Sequence, residues 1–489
     1  MSSPCLGIDF GTCSTSAALL LGEEIRQVDL SQSRYGDPSD MPTAVFVEPD
    51  GTFLVGHQAA RARLRDAGRY IDRFKLEMER SPGRTLFVAG AARTIGWTEI
   101  VTAVLAHVKA QAEKDLNSGA ALKRAVLTVP ALYVEGGVAW KTMQDAAKNA
   151  GFEEISIVRE PHAAALYYDH LLRKASQGAG ADGELVLVYD LGGGTFDPAL
   201  IRRSGDRYPL ERAQGSGVRC GGIFFDEALR KDFLSKRPEV ARELTPPSRN
   251  EDGAVPDSER GRARAFARAV GELEKFLLDC KHGFSQPGVT VFDEPAPPLL
   301  EEDYRITRRE FDTLLSALLD STIDCCEGLL RSAGCEWKEL SRVILVGGSC
   351  SLPIVRDKIA SAMERAGADA SRICWQRIAG TDIVIDPRFA VGRGACCLML
   401  KSLAPTAVSE KLRSPTGAGE DSAGGREPGQ NRGDPADLIR GLDDLLNATA
   451  RPANRDPPPR PSAGKAASGS TASILEGLDS LLNSGKGTR

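Results

Sequence analysis

Short apolar runs alternate with longer amphipathic stretches along the first four hundred residues. Residues 6–10 and 126–129 read as buried strands, the second leading into a helix over about 135–150. A further helix is predicted over 163–172, and residues 185–190 open a second series of strands. Residues 342–346 form a continuous apolar strand, and Pro353 opens a helix that runs to 365. Strands alternating with helices predict layered α/β architecture. A proline-rich, charged stretch at 244–260 reads as a surface loop or insertion.

The pattern stops near Leu403. From about 404 to 435 almost no hydrophobic side chain occurs, and Asp456-Pro457-Pro458-Pro459-Arg460-Pro461 fits neither helix nor strand. Such a composition buries too little surface to offset the entropy of ordering, so 404–489 is expected to be a disordered tail. Two islands interrupt it, 438–447 and 474–483, which share Gly-Leu-Asp and Leu-Leu-Asn at matching positions. Leu438, Leu442 and Leu445 recur at i, i+4 and i+7, the spacing of one helix face, in a segment too short to be a stable helix alone. The repeat favours a bivalent docking motif for a protein partner over a chance leucine cluster.

A net charge of −5 gives no electrostatic reason to bind nucleic acid or an anionic membrane. No apolar run has membrane-spanning length and the start lacks a secretory pattern, so a cytoplasmic protein is expected. The eleven cysteines are scattered, with no Cys-x-x-Cys, and read as reduced buried thiols. The five histidines cluster with neither cysteines nor carboxylates, which argues against a structural metal site.

The candidate chemistry lies in two matching segments. Ile8-Asp9-Phe10-Gly11-Thr12 and Tyr189-Asp190-Leu191-Gly192-Gly193-Gly194-Thr195 each follow an apolar strand and lead into another, predicting a hairpin with a polar glycine-rich tip. Glycines there let backbone N–H groups form an anion-binding nest, and the threonine hydroxyls add donors. Aspartates would repel phosphate unless a divalent cation, Mg²⁺ held through water, lies between. Two facing hairpins would clamp a polyphosphate, although a glycine run alone equally makes a ligand-free turn. Gly347-Gly348-Ser349 ends a third strand and permits close approach of a base or ribose. Glu160, before Pro161 and an alanine-rich helix, sits at a helix start, where the dipole alone also favours an acid.

These motifs, with Thr128-Val129-Pro130-Ala131 and Gly221-Gly222 ahead of Phe225-Asp226, resemble the ATPase domain of the seventy-kilodalton heat-shock chaperones, from about residue 5 to 400. The resemblance implies a two-lobed actin-like fold of duplicated ribonuclease-H-like lobes. The first lobe would take about 1–184 and 373–403, the second about 185–372. It implies an ATPase, slow, with ATP or ADP and Mg²⁺. Asp9 and Asp190 would hold the hydrated metal, and Gly11, Thr12, Cys13, Gly192, Gly193, Gly194 and Thr195 would surround the phosphates. Glu160 would orient the attacking water, Lys75 would lie near the γ-phosphate, and Asp197 matches a second aspartate of the second hairpin. Gly221, Gly222, Lys281, Ser285, Gly347, Gly348 and Ser349 would line the nucleotide site.

Two departures and two further features stand out. Ser351 and His282 occupy positions where the family carries arginines, which would cost base binding about 1 kcal/mol per contact. Pro198 follows Asp197 and predicts a bulge in the second hairpin. Cys13 sits beside Thr12, where backbone donors would favour a thiolate and make it an oxidant sensor; the alternative is an inert packed thiol. No alternating-strand run follows Leu403, so the family's peptide-binding sandwich is not expected and the tail repeats would recruit a client or co-chaperone. A chaperone-like switch is thus the leading function. An actin-like filament former and a small-molecule kinase are the alternatives on the same fold.

Overall fold

The computed structural model describes residues 3–403, except 32–39, 176–181, 206–209, 214–219, most of 239–255, 295–303 and a few isolated positions. The tail and its two repeats lie outside the described residues, as does most of the 244–260 stretch.

The same strand order is built twice. In the first sheet β1 (Cys5–Phe10) pairs antiparallel with β2 (Ser14–Leu21), which pairs with β3 (Glu24–Gln27). On its other side β1 runs parallel to β4 (Arg124–Val129), and β4 parallel to β5 (Glu154–Arg159). In the second sheet β6 (Leu185–Leu191), β7 (Phe196–Arg202) and β8 (Leu210–Ala213) form the antiparallel meander. There β9 (Arg342–Val346) and β10 (Ile373–Cys374) are the parallel strands. The orders β5-β4-β1-β2-β3 and β10-β9-β6-β7-β8 are therefore equivalent. Parallel neighbours need both faces covered, which explains the near-continuous apolar character of β1, β4, β6 and β9.

The helices supply that cover. On the first half α1 (Phe74–Arg80), α2 (Trp97–Leu116) and α3 (Val138–Asn149) join a core that includes Phe10, Phe74 and Trp97. The second half adds α5 (Gly222–Lys236), α6 (Arg260–Ser285), α7 (Arg308–Ser332) and α8 (Pro353–Arg365). Its core contains the stacked rings of Phe284 and Phe311, 4.6 Å apart. A capping box starts α7: the Glu310 backbone N–H donates to the Thr307 hydroxyl, and the Thr307 N–H to the Glu310 carboxylate.

A third core joins the halves. It is made by α4 (Glu160–Lys174) and α9 (Ala390–Leu403) with the inward faces of both sheets, among them Val126, Val188 and Ile344. The crossing depends on missing side chains. A Cβ on Gly394 would lie 1.8 Å from the Ala163 carbonyl oxygen, and one on Gly7 would lie 2.5 Å from that of Gly392. The alanine run at 163–165 and the glycines of α9 are thus packing residues.

Pro198 does not produce a bulge. The hairpin closes with the Gly192 N–H donating to Thr195 O at 3.2 Å, which makes Asp190/Asp197 a hydrogen-bonded pair and Tyr189/Pro198 a non-hydrogen-bonded one. The missing N–H of Pro198 therefore costs β6 no bond. The register shift falls later, between Leu200 and Ile201, against β8.

Candidate functional site

The two hairpins have one geometry. The first closes with the Gly11 N–H donating to Ser14 O at 3.0 Å, and Asp9 faces Ser16 as Asp190 faces Asp197. Each therefore has a two-residue tip, Thr12-Cys13 in one and Gly193-Gly194 in the other. This register corrects the pairing read from sequence. Thr12 is a tip residue, whereas Thr195 closes its hairpin and corresponds to Ser14.

The tips meet. A Cβ on Gly193 would lie 2.3 Å from the Cys13 sulfur, and one on Gly194 would lie 2.9 Å from Thr12 Cγ2. The second tip is also held from below. Gly222 and Ile223, at the start of α5, donate backbone N–H groups to Gly192 O and Gly193 O at 3.2 and 2.8 Å. The Ser349 hydroxyl donates to Gly192 O at 2.7 Å, which joins the third glycine turn to the second hairpin.

Around this contact opens a cavity of about 980 Å³. Asp9, Gly11, Thr12, Cys13, Lys75 and Glu160 line it from the first half. From the second half come Asp190, Gly192, Gly193, Thr195, Asp197, Gly222, Lys281, Ser285, Gly347, Gly348 and Ser349. Gly194 and Gly221 do not line it; they pack against Thr12 and the Gly192 carbonyl, and Gly221 has φ 141°. Ser351 and His282 line it as well.

Lys75 is not a solvated surface residue. Its Nζ donates to Phe10 O at 2.8 Å and to Glu160 Oε1 at 3.0 Å, and both side chains are buried. The apolar Phe74 anchors the same turn in the first core, which carries Lys75 inward. Glu160 opens α4 with Pro161 behind it, so the ion pair fixes it at a helix start. The Thr195 hydroxyl donates to Asp197 Oδ2 at 2.7 Å.

Four carboxylates, Asp9, Glu160, Asp190 and Asp197, share this space with the Lys75 ammonium. Burial and then the Glu160 charge push the Asp9 carboxyl up to about 7, against the pull of Lys75 and the Thr128 hydroxyl. Burial, with Glu160, Asp197 and Asp9, holds Asp190 well above the usual carboxylate range. Among the described residues no three His, Cys, Asp or Glu side chains converge closely enough to ligate an ion directly.

Cys13 departs from the sensor expectation. It is exposed in the cleft, and burial by the surrounding protein pushes its thiol up to about 12. Desolvation outweighs any help from backbone donors.

Three residues of the site were given no role in the sequence reading. Thr128 donates to Asp9 Oδ1 at 3.2 Å, Asp226 pairs with Lys281 at 2.6 Å, and Arg73 precedes Lys75 with φ 54°. Thr128 and Asp226 stood inside noted motifs, and it is their partners distant in the chain that give them their place in the site.

The protein-family model described as Hsp70 protein matches residues 74–244 and 289–370, just over half of the chain. The chain belongs to the Hsp70 family. It is thereby a chaperone-type ATPase of the actin-like fold, and its repeated strand order is the duplication that fold requires. The matched stretches contain Lys75, Glu160, the second hairpin and the Gly347 turn. Asp9, Thr12 and Cys13 precede them, so it is the three-dimensional contact of the tips that brings the first hairpin into the same site. No helix among the described residues is long and apolar enough to cross a membrane.

Proposed function

We propose that this Hsp70-family chain is a nucleotide-dependent switch that binds ATP and ADP in the cleft between its two sheets and hydrolyses ATP slowly. The observation that carries the reading is the meeting of the two tips, Cys13 on Gly193 and Thr12 on Gly194, with Asp9 and Asp190 on the walls of one cavity. The donor set fits Mg²⁺. It offers the hard carboxylate oxygens of Asp9 and Asp190, whose carboxyls are pushed up by burial and by neighbouring carboxylates, and which would hold the ion through water. Bound there, the ion would neutralise polyphosphate charge.

The chain's own groups do the rest. Backbone N–H groups and hydroxyls of the tips hold the phosphates, and Lys75 adds a fixed positive charge beside them. Glu160, kept in place by Lys75, orients the water that attacks the γ-phosphorus, and the bond to the bridging oxygen breaks. In phosphoryl transfer such positioning and charge placement carry most of the catalysis.

We further assign partner binding to the tail repeats at 438–447 and 474–483, in a cytoplasmic setting, with a client or co-chaperone as the partner. This rests on the repeated leucine pattern.

The test compares wild type with Asp190→Asn. Wild type should bind ATP with magnesium and turn it over without an acceptor, and the variant should lose at least about tenfold in turnover. Equal turnover by the variant, or turnover only with an added acceptor, would refute the proposal.

A further inference from the structure

The far end of the cleft carries an arginine on an element outside the matched family stretches. In the proposed nucleotide site the sugar and base lie along the turn at Gly347, which lines the cavity and adjoins the second hairpin through the Ser349 bond to Gly192. The neighbour of that turn is fixed by one backbone bond, from the Gly347 N–H to Pro387 O at 3.0 Å. Arg388 follows directly and lines the cavity.

Its guanidinium is held in place. The Nε donates to Asp386 at 3.0 and 3.2 Å, Nη2 donates to Asp386 Oδ2 at 2.6 Å, and the Arg388 backbone N–H donates to Asp386 Oδ1 at 3.0 Å. The group lies over the Phe389 ring, 4.8 Å from its centre. About half of the side chain remains accessible. A planar cation braced on one edge has already lost much of its rotamer freedom and presents a flat face.

The walls beside it suit a base. Of the five large hydrophobic side chains that are exposed among the described residues, Leu278 and Val384 both line this cavity. Leu278 is on α6, one turn before His282, and Val384 is on the loop that leads to Arg388. Their exposure leaves apolar surface in the cleft that a ligand would cover.

We infer that Arg388, positioned by Asp386, grips the base-and-sugar end of the nucleotide, with Val384 and Leu278 as its apolar walls. The guanidinium that the resemblance places at 351, where this chain has serine, is thus supplied from the loop before α9. The inference rests on the proposed nucleotide site.

The test separates the base from the phosphates. Dissociation constants are measured by calorimetry for ATP, ADP and inorganic tripolyphosphate, each with magnesium, on wild type and Arg388→Lys. Lysine keeps the charge and the partner for Asp386 but removes the plane. The variant should bind ATP and ADP about 3- to 10-fold more weakly, with tripolyphosphate unchanged within about twofold. Asp386→Asn, which loosens the brace, should reproduce the same split in milder form. Unchanged ATP affinity in Arg388→Lys overturns the inference, and so does an equal loss for tripolyphosphate, which would make Arg388 a phosphate contact. Wild type that binds none of the three overturns the nucleotide reading itself, and the inference with it.

Discussion

Replacing Asp9 by asparagine should stabilise the ligand-free protein while impairing its use of nucleotide. Asp9 lies on the cleft wall, and burial with the Glu160 charge raises its carboxyl from 3.8 to about 7. The folded chain therefore holds this proton more tightly than the unfolded chain does. Between about pH 4 and 7 the native state binds more protons, so its stability falls as pH rises through that window and levels off above it. Three pK units at about 1.36 kcal/mol each set a ceiling of about 4 kcal/mol. Water in the open cleft screens the charge, and about 1–2 kcal/mol is the working figure.

Asparagine removes the charge and keeps an acceptor for the Thr128 hydroxyl, which lies 3.2 Å from Asp9 Oδ1. In urea unfolding with a chelator and no nucleotide, Asp9→Asn should exceed wild type by about 1–2 kcal/mol at pH 8, with the gap closing towards pH 5. Saturating magnesium–ATP should reverse the order. A ligand at a hundred times its Kd adds about 2.7 kcal/mol to a protein that binds it, and the variant should gain little. A variant less stable than wild type at pH 8, or a gap that does not change with pH, would refute the account of crowded carboxylates.

Other variants probe the supports of the site. Lys75→Ala strips Glu160 of its 3.0 Å buried partner and should cost about 3 kcal/mol or more in chemical denaturation, with the double change Lys75→Met, Glu160→Gln recovering most of it. Gly347→Ala demands a side chain at φ 91° with its Cβ 2.3 Å from Leu191 O and 3.0 Å from Asp190 Oδ1. It should lower the melting temperature by an amount equivalent to about 2 kcal/mol and weaken ATP binding in the same sample. Because the surrounding protein pushes its thiol well above the free value, Cys13 should be alkylated by iodoacetamide at pH 7.5 at least ~100-fold more slowly than a free peptide thiol, as followed by mass spectrometry.

The elements whose signals are local were legible in the sequence. The strand at 342–346 and the helix at 353–365 match in full, because an unbroken apolar run and a proline at the first helical position leave little room for another reading. The helix expected from 135 begins at Val138, since Gly136 and Gly137 make the preceding turn and Gly136 has φ 72°. The sequence was least clear where a partner comes from far along the chain. The resemblance implied a place for Lys75 near the γ-phosphate, but nothing local to it in the sequence shows that its ammonium is held by the Phe10 carbonyl, 65 residues earlier. Nothing in the local sequence marks Arg388, whose loop is brought to the cleft by the bond from the Gly347 N–H to Pro387 O. Thr12 and Thr195 share a position in the aligned motifs, yet ladder register, not residue spacing, decides which occupies a tip.

The same register explains why the cleft can act as a switch in the proposed function. Above, the halves touch through the tips, where the second presents only glycine, so their approach is limited by its backbone and by the Cys13 sulfur and Thr12 methyl of the first. Carboxylates from both halves face each other there, and without a cation their repulsion opposes closure. Below, α4 and α9 cross at glycine–alanine contact inside a core shared by both sheets, which keeps the halves from separating. A bound cation and polyphosphate change the sign of the upper interaction and leave the lower one untouched. In the proposed function the ligand would thereby have a differential affinity for a closed arrangement, which is the condition for a ligand to drive a conformational change at all.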